Sequence, residues 1–295
     1  MDGILIIDKE KGYTSSDVVA KLRGILHQKK IGHAGTLDPD ATGVLVVLLG
    51  RATKLSDMMM SGQKCYRTVL RLGITTDTQD TGGILLKERE PEQDTEKIRS
   101  AVLSFEGTYE QIPPMYSAIK VNGKKLYQYA RSGREVERTA RTVTVEKISI
   151  EAVEPPMVRF TVDCSKGTYV RTLCHDIGER LGCGAAMEEL CRIRSGSFTL
   201  EDAVKIDQVR DLLQEGRLEE KLVGLDRVLQ GYPVFVCDEA HEKALLNGNR
   251  LSTAWGSGTV SEDGITVIKD GSGRIRALYR LNKEEEMLHP DVMLL

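Results

Sequence analysis

Gly32-His33-Ala34-Gly35-Thr36-Leu37-Asp38-Pro39-Asp40-Ala41-Thr42-Gly43 is followed at once by the apolar run Val44-Leu45-Val46-Val47-Leu48-Leu49. Spaced glycines, a proline and two aspartates leave no regular period, so the stretch predicts a loop and the run behind it a buried strand. A loop tied so directly to a core strand holds its polar side chains in fixed places, and the candidates are His33, Asp38 and Asp40. Asp38 stands apart, because Pro39 restricts its backbone to extended conformations and Leu37 can anchor the loop beside it. On local pattern alone, Asp-Pro in a glycine-rich segment is more often plain turn chemistry than a catalytic carboxylate.

On either side the pattern is mixed. Residues 3 to 7 read as a strand, and Ser15 or Ser16 can cap a helix with the apolar stripe Val18, Val19, Leu22, Ile25 and Leu26. Strands are expected at 44 to 49 and 64 to 73, then an acidic connection containing Thr81-Gly82-Gly83 and a helix near 95 to 104. At 157 to 164 strict alternation puts Val158, Phe160, Val162 and Cys164 on one face. Lys166-Gly167-Thr168 then feeds a helix from about Tyr169 to Leu181, with Val170, Leu173, Cys174, Ile177 and Leu181 inward. With no βαβ alternation and no repeat, the fold class is α+β around a mixed, largely antiparallel sheet. Gly231-Tyr232-Pro233 marks a boundary between residues 1–230 and a small β-rich module at 231–295.

A chain of 295 residues can bury a full core and accommodate a large domain plus a small one. It has no run of eighteen apolar residues and no signal-like N-terminus, so the expectation is a cytoplasmic protein without membrane attachment. Cys65, Cys164, Cys174, Cys183, Cys191 and Cys237 form no C-x-x-C pair and read as buried free thiols. Zinc-ligand spacing is absent, and the glycine-rich stretch lacks the P-loop pattern and its lysine. A net charge of −3 speaks at first against a nucleic-acid partner. Its distribution speaks for one: between Tyr116 and Arg141, Lys120, Lys124, Lys125, Arg131, Arg134, Arg138 and Arg141 face only Glu135 and Glu137. Tyr116, Tyr127 and Tyr129 are interleaved and can stack on bases. A solvated charged helix is the competing reading of this segment.

The motif Gly-His-Ala-Gly-Thr-Leu-Asp-Pro-x-Ala-Thr-Gly resembles the catalytic loop of the TruB-type pseudouridine synthases, which isomerise uridine 55 in the tRNA T loop. Other stretches match in the same order: Gly3-Ile4-Leu5-Ile6-Ile7-Asp8-Lys9, Lys64-Cys65-Tyr66-Arg67, Gln111-Ile112-Pro113-Pro114-Met115-Tyr116-Ser117-Ala118, Cys164-Ser165-Lys166-Gly167-Thr168-Tyr169-Val170-Arg171-Thr172, and Gly182-Cys183-Gly184-Ala185 leading to Leu190-Cys191-Arg192. Glu10 departs from the family pattern, standing where many relatives have proline. The resemblance implies the curved sheet of pseudouridine synthases, an RNA-clamping insertion at about 114–142, and a C-terminal PUA-like module touching tRNA away from the reacting base. It implies Asp38, Tyr66 and Arg171 as catalytic residues, with Arg171 pairing with Asp38 and Tyr66 stacking on the flipped uracil or accepting its C5 proton. Tyr169 and Leu190 would shape the base pocket, His33 would fill the space left by the extruded nucleotide, and Lys124, Lys125 and Arg131 would hold the RNA. The isomerisation requires no cofactor and no metal, and the partner is the tRNA T arm, met by a monomer without a protein partner. The alternative is a noncatalytic tRNA-binding or RNA-folding protein on the same scaffold, against which Asp38, Tyr66 and Arg171 together speak.

Overall fold

The computed structural model describes residues 1–295 and is built on two sheets. The main sheet runs from edge to edge through Leu222–Val223, Gly3–Lys9, Thr42–Leu49, Ala185–Ser195, Lys64–Leu72, Met157–Cys164, Arg141–Glu154 and Gly107–Gln111. Gly3–Lys9 is apolar on both faces because both faces are covered: Ile4 and Ile6 enter one core, Leu5 and Ile7 another. The helices Ser15–Leu26 and Ile206–Gln214 cover the Leu5 and Ile7 side. Farther along, Thr95–Leu103 and Val170–Leu181 pack over Leu70, Val158, Phe160, Val162 and Cys164, the face read from alternation. Gly178 lets the second of these helices lie against the sheet backbone, since a Cβ there would meet the Ala185 nitrogen at 2.1 Å.

The strand pairs of this sheet are antiparallel except at one place, where Thr42–Gly43 runs parallel to Cys191–Arg192. There the strand Thr42–Leu49 changes neighbour: residues 46–49 pair with Ile31–Ala34, and residues 42–43 with 191–192. The sheet forks, and residues 35–41 emerge from the fork. Gly43 has φ +96°, and a Cβ on it would meet the Arg192 carbonyl oxygen at 2.3 Å, so only glycine fits the junction.

Three local expectations are corrected. Residues 32–34, expected as loop, belong to the strand Ile31–Ala34, because pairing with the buried Thr42–Leu49 outweighs the local weakness of glycine and histidine. The first helix is capped by Thr14, whose hydroxyl accepts from Asp17 N at 3.0 Å while Asp17 Oδ2 accepts from Thr14 N at 2.8 Å. Ser15 is buried and used elsewhere. The acidic connection holds a hairpin, Ile74–Thr76 with Leu85–Glu88.

The second sheet contains Leu251–Ser252, Met287–Met293, Ile275–Asn282, Ile265–Lys269, Val234–Cys237 and Gly256–Gly258. One side encloses Phe235, Leu245, Tyr279 and Leu288, while Val267, Ile275 and Leu278 join Ile4, Val44 and Val46 in a core shared with the main sheet. The cationic segment carries the short hairpin Lys120–Val121 and Lys124–Lys125, turned on Asn122 and Gly123 at positive φ, and then the helix Leu126–Arg131. All six cysteines are free, five of them buried and Cys191 half-buried. No helix is long and apolar enough to cross a membrane.

Candidate active site

Two buried cations hold the loop that leaves the fork. Lys9 is 0% exposed, and its ammonium donates to the carbonyl oxygens of Ala41 at 2.5 Å, Pro39 at 3.0 Å and Glu10 at 3.1 Å. Burial pushes the Lys9 pKa down, and the charges of Asp38 and Asp40 oppose that fall. Arg192 is 1% exposed and bridges the two ends of the loop, Nη2 donating to Gly35 O and Nε to Val44 O, each at 2.8 Å. Ser15 Oγ accepts from Leu37 N at 2.9 Å and donates to Leu37 O at 3.2 Å, and Gly12 N donates to Pro39 O at 2.9 Å. Carbonyl oxygens thus solvate both cations, and the cations in turn fix the backbone on either side of Asp38.

Asp38 turns its carboxylate toward the first turn of the helix Val170–Leu181. Arg171 Nη1 lies 3.5 Å from Asp38 Oδ2, with the arginine side chain 7% and the aspartate 42% exposed. The same nitrogen lies 3.6 Å from Asp80 Oδ2, and Nη2 donates to the Tyr116 carbonyl. Asp80 is itself oriented, its Oδ1 accepting from Thr78 Oγ1 at 2.8 Å and from Gly82 N at 3.1 Å. One guanidinium therefore serves two carboxylates, a fixed inner one and an outer one open to solvent.

Tyr66 and Tyr169 both feel the charge of Asp38, and Leu190 packs, like Tyr66, against the core under the helix Val170–Leu181. Tyr66 stands across from Val162 on one neighbouring strand and Arg192 on the other, half-buried and packed against the core that also receives Leu190. Burial raises its pKa, and the charge of Asp38 pushes the same way while Arg192 pulls back, so the ring is a neutral phenol near pH 7. Tyr169 is likewise raised by burial, with the Arg171 guanidinium 6.0 Å from its ring centre. His33, paired with Val47, has a buried Nδ1 without a partner. Burial and the Arg192 charge both lower its pKa, which keeps the imidazole neutral.

Lys124, Lys125 and Arg131 lie outside this cluster, on the insertion. Lys125 and Arg131 sit 5.6 and 5.4 Å from the Tyr127 ring, and among the insertion's cations Arg138 alone forms an ion pair, with Glu135. The link from insertion to cluster is the Tyr116 carbonyl on Arg171, with the Tyr116 hydroxyl donating to Asp77 Oδ2 at 3.3 Å. No group of three or more His, Cys, Asp or Glu side chains is placed to hold a metal ion. Lys9, Ser15, Asp80 and Arg192 carry weight that the sequence reading did not assign. A lysine ending an apolar strand and an arginine inside one were signals for two of them; Asp80, in a Thr- and Gly-rich turn, gave none.

The mixed, largely antiparallel sheet is a fold shared with pseudouridine synthases: the chain superposes on a subunit of a Cbf5-Nop10-Gar1 complex with a TM-score of 0.75 at 26% identity, covering 99% of this chain and 85% of that one. Residues 23–170 match the TruB family pseudouridylate synthase N-terminal domain, and residues 171–234 the tRNA pseudouridylate synthase B C-terminal domain. The chain belongs to the TruB family of pseudouridylate synthases. It is 48% identical over 262 residues to the tRNA pseudouridine synthase B of Alkaliphilus oremlandii, covering 89% of this chain and 87% of that protein. It is 40% identical over 297 residues to the protein of the same name from Bacillus pumilus, covering 98% and 96%.

The double carbonyl contact of Arg192 predicts a cost on removal. Arg192→Met orphans the Gly35 and Val44 oxygens and should lower stability by about 2–4 kcal/mol in urea unfolding. Arg192→Lys should restore less than half of the loss, because a single ammonium cannot reproduce the planar fork. Stability within about 0.5 kcal/mol of wild type for both variants would remove Arg192 from this role.

Proposed function

We propose that this chain isomerises the T-loop uridine at position 55 of tRNA to pseudouridine, with Asp38, Tyr66 and Arg171 as its catalytic residues. The observation that carries the reading is the contact of the nearly buried Arg171 with Asp38, 3.5 Å apart, on a loop whose backbone is held at both ends by Arg192. The reaction breaks the C1′–N1 bond, turns the uracil and joins its C5 to C1′, while the proton on C5 is lost and the freed N1 takes one up. Atoms and electrons balance without an oxidant, a hydrolytic water or a nucleotide.

Each side chain suits a part of this chemistry. Asp38 brings a carboxylate to the ribose, and Arg171 aims it while Asp80 holds the arginine from behind. Tyr66, as a neutral phenol, offers a ring face to the flipped uracil, and Tyr169 and Leu190 line the rest of the pocket. Extrusion of the nucleotide costs a few kcal/mol, about what a neutral inserted imidazole such as His33 and an aromatic pocket offset together. Lys124, Lys125 and Arg131 hold the T arm by its phosphates. The small sheet after Gly231 contacts the tRNA at a distance from the reacting base, and the enzyme works in the cytoplasm as a single chain.

The test is release of tritium from tRNA labelled at uridine C5, with a chelator present. Wild-type protein should release one equivalent per tRNA. Asp38→Asn should bind tRNA and release none; turnover of this variant within a few-fold of wild type would falsify the assignment, and binding without turnover by the wild type would mark a noncatalytic RNA-folding protein.

A second measurement addresses the clamp. Replacing Lys124, Lys125 and Arg131 by Gln should weaken binding and flatten the plot of log K against log salt by about 0.7 to 0.9 per lost phosphate contact. An unchanged slope at unchanged affinity would identify a solvated face.

A further inference from the structure

We propose that Gln111 is a positioning residue: it latches the root of the cationic insertion to the start of the helix that carries Arg171, and through that contact keeps the arginine in place beside Asp38. The inference rests on the function proposed above. Gln111 is the last residue of an edge strand and pairs with Arg141, so these two residues close the insertion at its base. It is 1% exposed, unusual for a glutamine at the mouth of a charged surface segment.

The reason for its burial lies across the sheet edge. The helix Val170–Leu181 begins at Tyr169 with no side-chain cap of its own. Gln111 holds that first residue from outside the helix: Oε1 accepts from Tyr169 N at 2.8 Å, and Nε2 donates to Tyr169 O at 3.1 Å and to the Tyr109 hydroxyl at 2.5 Å. The amide thus pairs with both backbone groups of one residue, much as a neighbouring strand would, and uses both its ends. A hydrocarbon side chain could do neither, and a shorter amide would not reach.

Arg171 follows two residues later, and the insertion touches it a second time. Its Nη2 donates to the carbonyl of Tyr116, five residues beyond Gln111, while the Ser117 hydroxyl lies buried beside Tyr169. Residues 111–117 therefore hold the helix start at the Tyr169 backbone and at the guanidinium. The base of the insertion and the guanidinium that faces Asp38 are thereby held together at two points.

The test uses the full chain with Gln111→Ala and with Gln111→Met, the second keeping the volume in case the first does not fold. Three quantities are measured: amide hydrogen exchange of Tyr169 in the free protein, Kd for unmodified tRNA, and the single-turnover rate at saturating tRNA. The latch predicts Tyr169 exchange faster by about tenfold or more. It predicts Kd within about threefold of wild type and a rate lower by about ten- to hundredfold, since a misplaced arginine costs chemistry rather than binding. Unchanged exchange would show that there is no latch. Faster exchange with a rate within about threefold of wild type would show that the arginine does not depend on it, and equal losses in Kd and rate would make Gln111 a binding residue. A wild-type chain inert toward tRNA would overturn the functional reading instead, and the Tyr169 exchange would still decide whether the latch exists.

Discussion

Arg192 occupies the fork of the main sheet and cannot leave it without abandoning the carbonyl oxygens of Gly35 and Val44. A buried guanidinium is costly unless its hydrogens are bonded, and loop carbonyls at a strand junction are costly unless they are bonded too; each defect repairs the other. The remaining features of the site follow from that mutual need. Gly43 must be glycine because the backbone of Arg192 lies against it, and the loop from Gly35 to Ala41 has its ends held at a fixed separation. Lys9 then fastens the middle through Pro39 and Ala41, and Asp38 is left facing outward from a backbone with little freedom.

The charge arrangement around Asp38 has a division of labour. Lys9 and Arg192 spend their hydrogens on carbonyl groups and act on the carboxylates only through space. Arg171 meets carboxylates directly, and meets two, so loss of one would still leave it paired. Asp80, fixed by Thr78 and Gly82, gives the guanidinium a reason to stay in place while Asp38 engages another group. Burial disfavours the charged forms of Tyr66 and His33, so neither adds charge to this arrangement.

How far this was legible in the sequence depended on what kind of physics each residue obeys. Val158, Phe160, Val162 and Cys164 were readable from alternation, because a one-sided sheet leaves a period of two in the chain. The helix with Arg171 announced itself through its apolar stripe, and Asp38 through a motif resemblance rather than through any local rule. Residues 32–34 do not look like strand because histidine and glycine are weak strand formers, and their pairing with 46–48 is a tertiary fact. Asp80 and Gln111 were invisible as functional residues for a similar reason: a turn aspartate and a strand-end glutamine acquire meaning only from Arg171 and Tyr169, residues far along the chain. Lys9 and Arg192 lay inside recognised stretches, yet nothing in the order of residues tells that a cation will be solvated by carbonyls.

The site is built before RNA arrives, with Asp38 already seated on Arg171. A crystal structure of the chain bound to a T-arm RNA hairpin tests it directly. Preorganisation predicts that the backbone of residues 35–41 stays within about 1 Å of its position in the free protein. It also predicts that Asp38 remains in contact with Arg171 while facing the ribose of an extruded uridine. A refolded loop, or an Arg171 moved onto a phosphate with Asp38 left unpaired, would contradict it.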